Sequence, residues 1–249
     1  MSGLKKLAIV GISGRMGAEL VALAPAMGFD VTMGVSRSAA THADSDSDSN
    51  PKVNWVSSVG GLNLSLVDVV IDFSLPENTN SVVAWCVKNN RPLVSGVTGV
   101  SKTQKEAFLQ AGRTIAVLWA PNMSLGVAVV SKMLAQLAAL EDFDFQIEEI
   151  HHKGKKDAPS GTALFLQEQL EYAVGKVPAP VAIRGGGVFG VHRIWAMGEE
   201  ETVTIEHNAM NRRVFARGGL RASQWILGQP PGYYSMNDVL SGSASSLQV

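Results

Sequence analysis

Residues 151–162 bring several groups with acid–base or anion-binding chemistry into one short stretch. The sequence there is His151-His152-Lys153-Gly154-Lys155-Lys156-Asp157-Ala158-Pro159-Ser160-Gly161-Thr162. An imidazole has an ordinary pKa close to neutral pH, so it can exchange a proton there. Lysine ammonium groups and the N–H groups at a helix N-terminus both attract anions. The stretch therefore predicts proton transfer beside a small bound anion.

A predicted strand leads into the two histidines. Phe143, Phe145 and Ile147 alternate with polar residues, which is typical of a strand with one buried face. His151 has the parity of these apolar residues, whereas His152 points to the opposite face if the strand extends that far. We expect one imidazole to line the site, and the other to contact substrate from a neighbouring position or to support the loop.

The end of the stretch has the pattern of a helix N-terminus. Ser160 is suited to cap a helix, and Gly161 and Thr162 would then offer backbone N–H groups to a carboxylate. Further positive charge comes from Lys153, Lys155 and Lys156. The sequence leaves open which lysine faces a substrate. A single histidine or a group of lysines usually has no catalytic role, but the occurrence of both beside a predicted helix N-terminus favours a catalytic site.

A glycine-rich turn near the N-terminus follows a short apolar run at residues 7–10. Gly11, Gly14 and Gly17 are spaced three apart, an apolar helical stripe follows them, and a second strand is predicted at Phe29–Val35. In this strand–turn–helix context, glycines let the backbone approach a pyrophosphate. The pattern favours a dinucleotide site over a purely structural turn.

The end of the second strand bears on the choice of cofactor. A carboxylate there would bind the ribose hydroxyls of NAD, but the sequence is Ser36-Arg37-Ser38. A guanidinium between two hydroxyls suits the 2′-phosphate of NADPH, and Arg15 could contribute. The residues favour NADPH over NADH, with a merely solvated Arg37 as the alternative.

Strands and helices alternate up to residue 124, which predicts a Rossmann-like, doubly wound parallel sheet of the α/β class. Ligands of such sheets lie at the carboxyl ends of the strands, here including Phe73, Gly96–Thr98 and Ala120–Met123. One of these helices begins at Ser101, with Gln104 placed for a capping box. After residue 124 come a helix from about Leu125 to Leu140, several strands and a helix near Leu220–Leu227. We expect residues 1–124 to bind the dinucleotide, and residues 125–228 to form an α+β domain with an open mixed or antiparallel sheet.

Composition excludes several classes of protein. The net charge is −1, from 21 basic and 22 acidic residues, which argues against a general nucleic-acid or membrane-surface binder. A single cysteine and the lack of a long apolar run predict a cytoplasmic protein. Residues 36–52 are rich in Ser and Asp and predict a solvated loop. That loop lacks the glycine and glutamate of a calcium-binding loop, so no metal site is predicted.

Taken together, these motifs resemble the dihydrodipicolinate reductase (4-hydroxy-tetrahydrodipicolinate reductase) family over nearly the whole chain. The 151–162 pattern is the most specific of them. The other matching segments are Gly11–Gly17, Ile71–Ser74, Gly96–Gly99, Ala120–Ser124 and the region from Arg212 to Trp225. Ser36 stands where the family often has an acidic residue, and Met123 replaces a usual aromatic residue.

The resemblance implies NADPH- or NADH-dependent reduction of a small dicarboxylate in lysine and diaminopimelate biosynthesis. It implies that His151 donates or accepts a proton and that Lys155 is a second proton donor. The expected substrate-binding residues are His152, Lys153, Ser160, Gly161, Thr162 and Arg212. The expected cofactor-binding residues are Gly11, Ile12, Ser13, Gly14, Arg15, Met16, Ser36, Arg37, Phe73, Gly96, Val97, Thr98, Ala120, Pro121, Asn122 and Met123. The family also implies a homotetramer and a segment at about 229–249 that returns to the first domain.

Two other functions fit parts of this pattern. An aspartate-type NAD(P)-dependent dehydrogenase would share the glycine turn but does not need the 151–162 motif. A non-catalytic nucleotide-binding sensor would bind cofactor without turnover, which His151 beside Lys155 disfavours.

Overall fold

The computed structural model of the protein describes residues 3–39 and 53–244. Most of the Ser- and Asp-rich loop expected over 36–52 therefore lies outside the described residues. The chain divides into two compact units. One unit comprises the chain up to Met123 together with the segment from Phe215 onward, and the other is Ser124–Val214. The chain thus rejoins the first unit at Phe215, earlier than the position near 229 expected from the sequence.

The strands are β1 (Lys5–Val10), β2 (Phe29–Val35), β3 (Asn54–Val56), β4 (Val69–Asp72), β5 (Leu93–Ser95), β6 (Ala116–Trp119), β7 (Asp144–His151), β8 (Val181–Arg184), β9 (Gly190–Met197), β10 (Thr202–Ala209) and β11 (Gly232–Tyr234). The α-helices are α1 (Arg15–Leu23), α2 (Thr79–Lys88), α3 (Lys102–Ala111), α4 (Leu125–Leu134), α5 (Gly161–Val174), α6 (Arg213–Ile226) and α7 (Met236–Ala244). Among these described helices, none is long and apolar enough to span a membrane.

The first unit contains a seven-stranded parallel sheet. Its strand order is β11-β6-β5-β4-β1-β2-β3. Strands β1 and β4 are apolar runs buried on both faces, as parallel strands covered by helices must be. The predicted doubly wound α/β sheet is confirmed.

Several helix boundaries follow from local signals. The capping box predicted at the start of α3 is confirmed, because the Ser101 hydroxyl accepts the Gln104 N–H and the Gln104 side chain accepts the Ser101 N–H. The helix predicted from Leu125 to about Leu140 ends at Leu134 and continues only as a 3₁₀ turn to Ala139. Helix α6 begins at Arg213, whereas the sequence indicated a helix only near 220.

The second unit contains a four-stranded mixed sheet in the order β10-β9-β7-β8. Strand β7 pairs antiparallel with β9 and parallel with β8. Burial alternates along β7, so Phe145, Ile147, Glu149 and His151 share its buried face. Their apolar members join a core with α4 and α5, and the two polar residues lie at the carboxyl end of the strand.

Asp72 ends β4 as a fully buried carboxylate. Its Oδ1 accepts the Ser74 N–H at 2.9 Å, while its Oδ2 has no hydrogen-bond partner among the described residues. Burial raises the pKa of Asp72 to about 6, against the opposing effect of the Ser74 hydrogen bonds. The folded protein therefore holds a proton here that the unfolded chain releases at lower pH.

Replacing Asp72 by Asn should change how stability depends on pH. Because the pKa of Asp72 is higher in the folded protein than in the unfolded chain, the protonated side chain stabilises the folded protein. This contribution is fully present below the pKa of the unfolded chain and is lost as pH rises through about 6. Between pH 4 and pH 7, the free energy of unfolding of the wild type should fall by about 2 kcal/mol relative to Asp72→Asn. Urea unfolding at several pH values measures this difference. Parallel pH profiles for the two proteins would contradict it.

Candidate active site

The predicted phosphate-binding turn joins β1 to α1 in the first unit. Gly11 N–H donates to the Val35 carbonyl at 3.0 Å, and Gly14 N–H donates to the Gly11 carbonyl at 2.9 Å. Gly14 is the N-cap of α1, and no described side chain caps this helix. A Cβ at Gly17 would lie 2.2 Å from the Ile12 carbonyl oxygen, so only glycine allows the helix to pass this close to the turn. The geometry fits the approach of a pyrophosphate to a helix N-terminus.

A cavity of about 500 Å³ adjoins this turn. It brings together six of the predicted cofactor-binding residues, namely Gly11, Ser13, Gly14, Ser36, Arg37 and Phe73. The residues lining it that the sequence did not single out as site residues include Ser57, Ser58, Ser74, Leu75, Asn78 and Ser81. Two of these serines directly follow β3, a three-residue strand too short to be recognised from its pattern.

Hydroxyl groups and one guanidinium dominate the cavity near the end of β2. Ser36 Oγ lies 2.7 Å from Ser13 Oγ and 2.9 Å from Ser38 Oγ, and Arg37 is exposed beside them. No Asp or Glu is among the described residues that line the cavity. Hydroxyls and a guanidinium without a nearby carboxylate suit a phosphate better than a bare ribose.

The other predicted cofactor residues do not line this cavity. Arg15 and Met16 lie in the first turn of α1, and the segments after β5 and β6 lie at the carboxyl edge of the same sheet. The side chains of Ile12, Val97 and Met123 are buried in the protein interior. These three positions can therefore offer a cofactor only their backbone. The carbonyl of Val97 already accepts the Trp119 Nε1–H at 2.9 Å.

In the second unit, a buried carboxylate lies next to His151. His151 Nδ1 is 2.5 Å from Glu149 Oε2, and Arg184 donates to both oxygens of Glu149 at 2.8 and 2.6 Å. The Ser160 N–H donates to Oε1 at 3.0 Å. Burial favours a raised pKa for Glu149, but these hydrogen bonds outweigh it and hold the pKa below its usual range. Glu149 is therefore an ionised, fully satisfied carboxylate.

His151 is only 8% exposed, and its environment opposes protonation. Burial lowers its pKa below the ordinary histidine value, and the positive charges of Lys155 and Arg184 act in the same direction. The neighbouring carboxylate of Glu149 acts against them. The sequence predicted that His151 titrates near neutrality, whereas its surroundings in the structure lower its pKa below the ordinary value. A carboxylate bound nearby would raise the pKa again.

Lys155 and the start of α5 both act on the carboxylate of Asp157. Lys155 Nζ lies 2.8 Å from Asp157 Oδ1, and the Gly161 N–H is close enough to help lower the pKa of that carboxylate. Burial alone would raise the pKa of Asp157, but the contact with Lys155 and the nearby backbone N–H groups lower it overall. Ser160 caps α5 as predicted, with its Oγ accepting the Ala163 N–H at 3.2 Å. Lys155 is the least exposed of the three lysines of the motif.

The remaining predicted substrate residues are not among the hydrogen-bonded residues around Glu149. His152 and Lys153 are exposed in the turn after β7, and Thr162 is half-buried in the first turn of α5. Arg212 is half-buried in the turn between β10 and α6, outside the hydrogen-bonded group around Glu149. Their predicted contacts with substrate stay predictions.

Two further imidazoles, one buried (His192) and one half-buried (His207), were not predicted. His192 lies opposite Glu149 on β9, and His207 lies opposite His192 on β10. Burial, and then the charges of His151 and His207, lower the pKa of His192 to about 3. Its Nε2 lies 3.2 Å from Ser160 Oγ. Glu149 shares the parity of Phe145 and Ile147, but no local signal showed which residues of β8, β9 and β10 would lie beside it.

Comparisons with known proteins agree with this arrangement. Residues 5–123 match the family model described as dihydrodipicolinate reductase, N-terminus, and residues 126–240 match dihydrodipicolinate reductase, C-terminus. A relative from Bdellovibrio bacteriovorus, 4-hydroxy-tetrahydrodipicolinate reductase, is 52% identical over 72% of this chain and 78% of its own. A protein of the same name from Xanthomonas euvesicatoria pv. vesicatoria is 40% identical over 94% of this chain and 97% of its own.

A solved structure shares the fold. Dipicolinate-bound dihydrodipicolinate reductase from Paenisporosarcina sp. TG-14 superposes with a TM-score of 0.79 over 93% of this chain and 97% of its own, at 21% identity. The fold and the site define an oxidoreductase with a Rossmann-type nucleotide-binding sheet. The chain belongs to the dihydrodipicolinate reductase family, which confirms the resemblance found in the sequence.

Proposed function

We propose that the protein catalyses the NAD(P)H-dependent reduction of 4-hydroxy-tetrahydrodipicolinate to tetrahydrodipicolinate. The product lacks the 4-hydroxyl group of the substrate, so the net reaction replaces that hydroxyl by hydrogen. A hydride and a proton are consumed, and water leaves. The observation that carries the proposal is the His151–Glu149 pair, followed in the same motif by the Lys155–Asp157 ion pair, in a chain of this family.

The chain's own residues have to transfer protons and hold two carboxylates. A bound reduced nicotinamide supplies the hydride. Since His151 Nδ1 is engaged by Glu149, Nε2 is its proton-transferring atom. Lys155 is the second donor, suited to protonating the departing hydroxyl or polarising the ring nitrogen.

The two carboxylates of the substrate need positive or N–H partners in a largely buried site. The Gly161 and Thr162 amides, with Lys153 and Arg212, would neutralise them, and His152 and Ser160 would complete the binding site. The support for Gly161 is that its N–H helps to lower the pKa of the neighbouring carboxylate of Asp157.

For the cofactor, we propose a preference for NADPH over NADH. The support is the cavity near β2, where three serine hydroxyls and Arg37 surround the space beyond the glycine turn. Gly96–Thr98 and Ala120–Met123, at the ends of β5 and β6, would line the rest of the dinucleotide, mainly through their backbone.

An absorbance assay of the reduced nicotinamide tests the activity. The substrate is made fresh from pyruvate and aspartate semialdehyde, and NADPH and NADH are tried separately. We expect substrate-dependent loss of absorbance, faster with NADPH. No loss with either cofactor, together with reduction of NAD(P)⁺ by aspartate, would instead support the aspartate-type dehydrogenase. Cofactor binding without any turnover would support the sensor. Family membership disfavours both alternatives.

We also propose that the protein is a homotetramer. The face of the four-stranded sheet opposite His151 carries apolar side chains that are 37–49% exposed, namely Val181, Ile183 and Met197. Such a face favours association between copies. Size-exclusion chromatography with light scattering should give four chain masses, and a monomer at micromolar concentration would contradict this. The cytoplasmic location stays a prediction from the sequence.

A further inference from the structure

Glu149 receives hydrogen bonds from three separate segments. His151 on β7 and Arg184 on β8 donate to Oε2, at 2.5 and 2.8 Å. The Ser160 N–H before α5 and a second Arg184 nitrogen donate to Oε1, at 3.0 and 2.6 Å. Each oxygen therefore has two donors, and the side chain is fully buried. A buried carboxylate in this arrangement fixes the orientation of all three partners.

The first consequence concerns the imidazole of His151. An ionised carboxylate only accepts hydrogen bonds, so Nδ1 must carry the hydrogen that Glu149 accepts. Proton exchange is then left to Nε2. Gly190 faces that nitrogen, and a Cβ at this position would lie 2.9 Å from it, so the absence of a side chain leaves the space beside Nε2 open.

The second consequence concerns the anion-binding turn. The Ser160 N–H is held by Glu149, and the Ser160 hydroxyl caps α5 by accepting the Ala163 N–H at 3.2 Å. Arg184 also donates to the Asp157 carbonyl at 2.6 Å, which ties the preceding loop to the same carboxylate. The carboxylate of Glu149 therefore holds both the start of α5 and the imidazole of His151 in place.

We propose that Glu149 is the positioning residue of the site: it directs Nε2 of His151 towards proton transfer and sets the N-terminus of α5 relative to that nitrogen. The identity of the reaction rests on the proposed function, but the positioning role itself does not. Glu149 acts through His151 and Ser160 and needs no contact with substrate.

The charged and titratable groups around His151 define what removal of Glu149 would do. Arg184 faces it from β8, His192 from β9 with ring centroids 5.2 Å apart, and Lys155 from the following loop. Among the described residues that shift the pKa of His151, Glu149 is the one that favours the imidazolium. Removal of the Glu149 carboxylate therefore lowers the pKa of His151. As pH rises, His151 then loses its proton earlier, and kcat, which depends on the protonated imidazole, declines earlier.

The test uses Glu149→Gln with Glu148→Gln as a matched control. Glu148 is the next residue of β7 on the opposite face and pairs with Arg193 at 2.8 Å, so the control also removes a carboxylate from an arginine pair. Nitrogen-15 NMR of histidine-labelled, ligand-free protein reports the tautomer and titration of His151, assigned by its absence in His151→Gln. The pH profile of kcat is measured in parallel.

In wild type and Glu148→Gln, the neutral His151 should carry its hydrogen on Nδ1. In Glu149→Gln, the titration of His151 and the decline of kcat should both move about one pH unit lower. Glu149→Asp, which keeps the charge, should restore most of the wild-type pH profile. If Glu149→Gln does not fold, the tautomer of neutral His151 in the wild type still tests the positioning role of Glu149.

A hydrogen on Nε2 in the neutral wild-type His151, or an unchanged titration in Glu149→Gln, overturns the positioning role. Lack of turnover by the wild type overturns the proposed function alone, because the NMR experiment needs no substrate.

Discussion

Replacing His151 by Gln should lower kcat by roughly 10²–10⁴-fold, the range that a positioned general acid or base contributes. Glutamine is polar and of similar size, so it can still hydrogen-bond to Glu149, but it cannot transfer a proton. The affinity for NADPH should stay within about twofold, because the predicted cofactor residues all belong to the other unit. Steady-state kinetics and a fluorescence titration with NADPH measure the two quantities.

His207→Gln is the matched control for this variant. It also replaces an imidazole of the same sheet, but His207 is half-buried, lies on β10 and bonds to Ser124 rather than to Glu149. It should keep kcat within a few-fold of the wild type. Near-wild-type turnover by His151→Gln would exclude His151 as the proton-transferring residue.

Replacing Ser36 by Asp should reverse the choice between cofactors. The new carboxylate would lie among the hydroxyls of Ser13 and Ser38, where it repels a 2′-phosphate and can accept hydrogen bonds from a ribose. Hydrogen bonds to a charged group contribute about 1.5–3 kcal/mol each. The ratio of kcat/KM for NADPH to that for NADH should therefore fall by roughly 10²-fold.

Arg37→Ala should lower the same ratio by roughly tenfold, because it removes one charged partner of the phosphate without adding a carboxylate. Arg113→Ala is the control, since Arg113 is an exposed arginine of the same unit that does not line the cavity. If selectivity is unchanged in both Ser36→Asp and Arg37→Ala, the 2′-phosphate does not bind at this end of β2.

The parts of the fold that the sequence predicted are those set by neighbours in the chain. The apolar run of β1, the glycine turn and the helix after it are local, and so is the Ser101–Gln104 capping box. Strand β3 was missed because three residues carry too little pattern, and β11 for the same reason.

Only part of the candidate site in the second unit could be predicted from the sequence. The 151–162 motif and the inward parity of His151 could be read directly, and Glu149 has that same parity. Its partner Arg184 comes from a parallel strand more than thirty residues away, and His192 comes from an antiparallel one. Pairing register between distant strands is a property of the folded sheet, which a single sequence does not display.

The ion pair of Lys155 with Asp157 makes substrate binding a competition between two carboxylates. A substrate carboxylate that binds to Lys155 has to displace the carboxylate of Asp157, so the observed affinity reflects the difference between the two interactions.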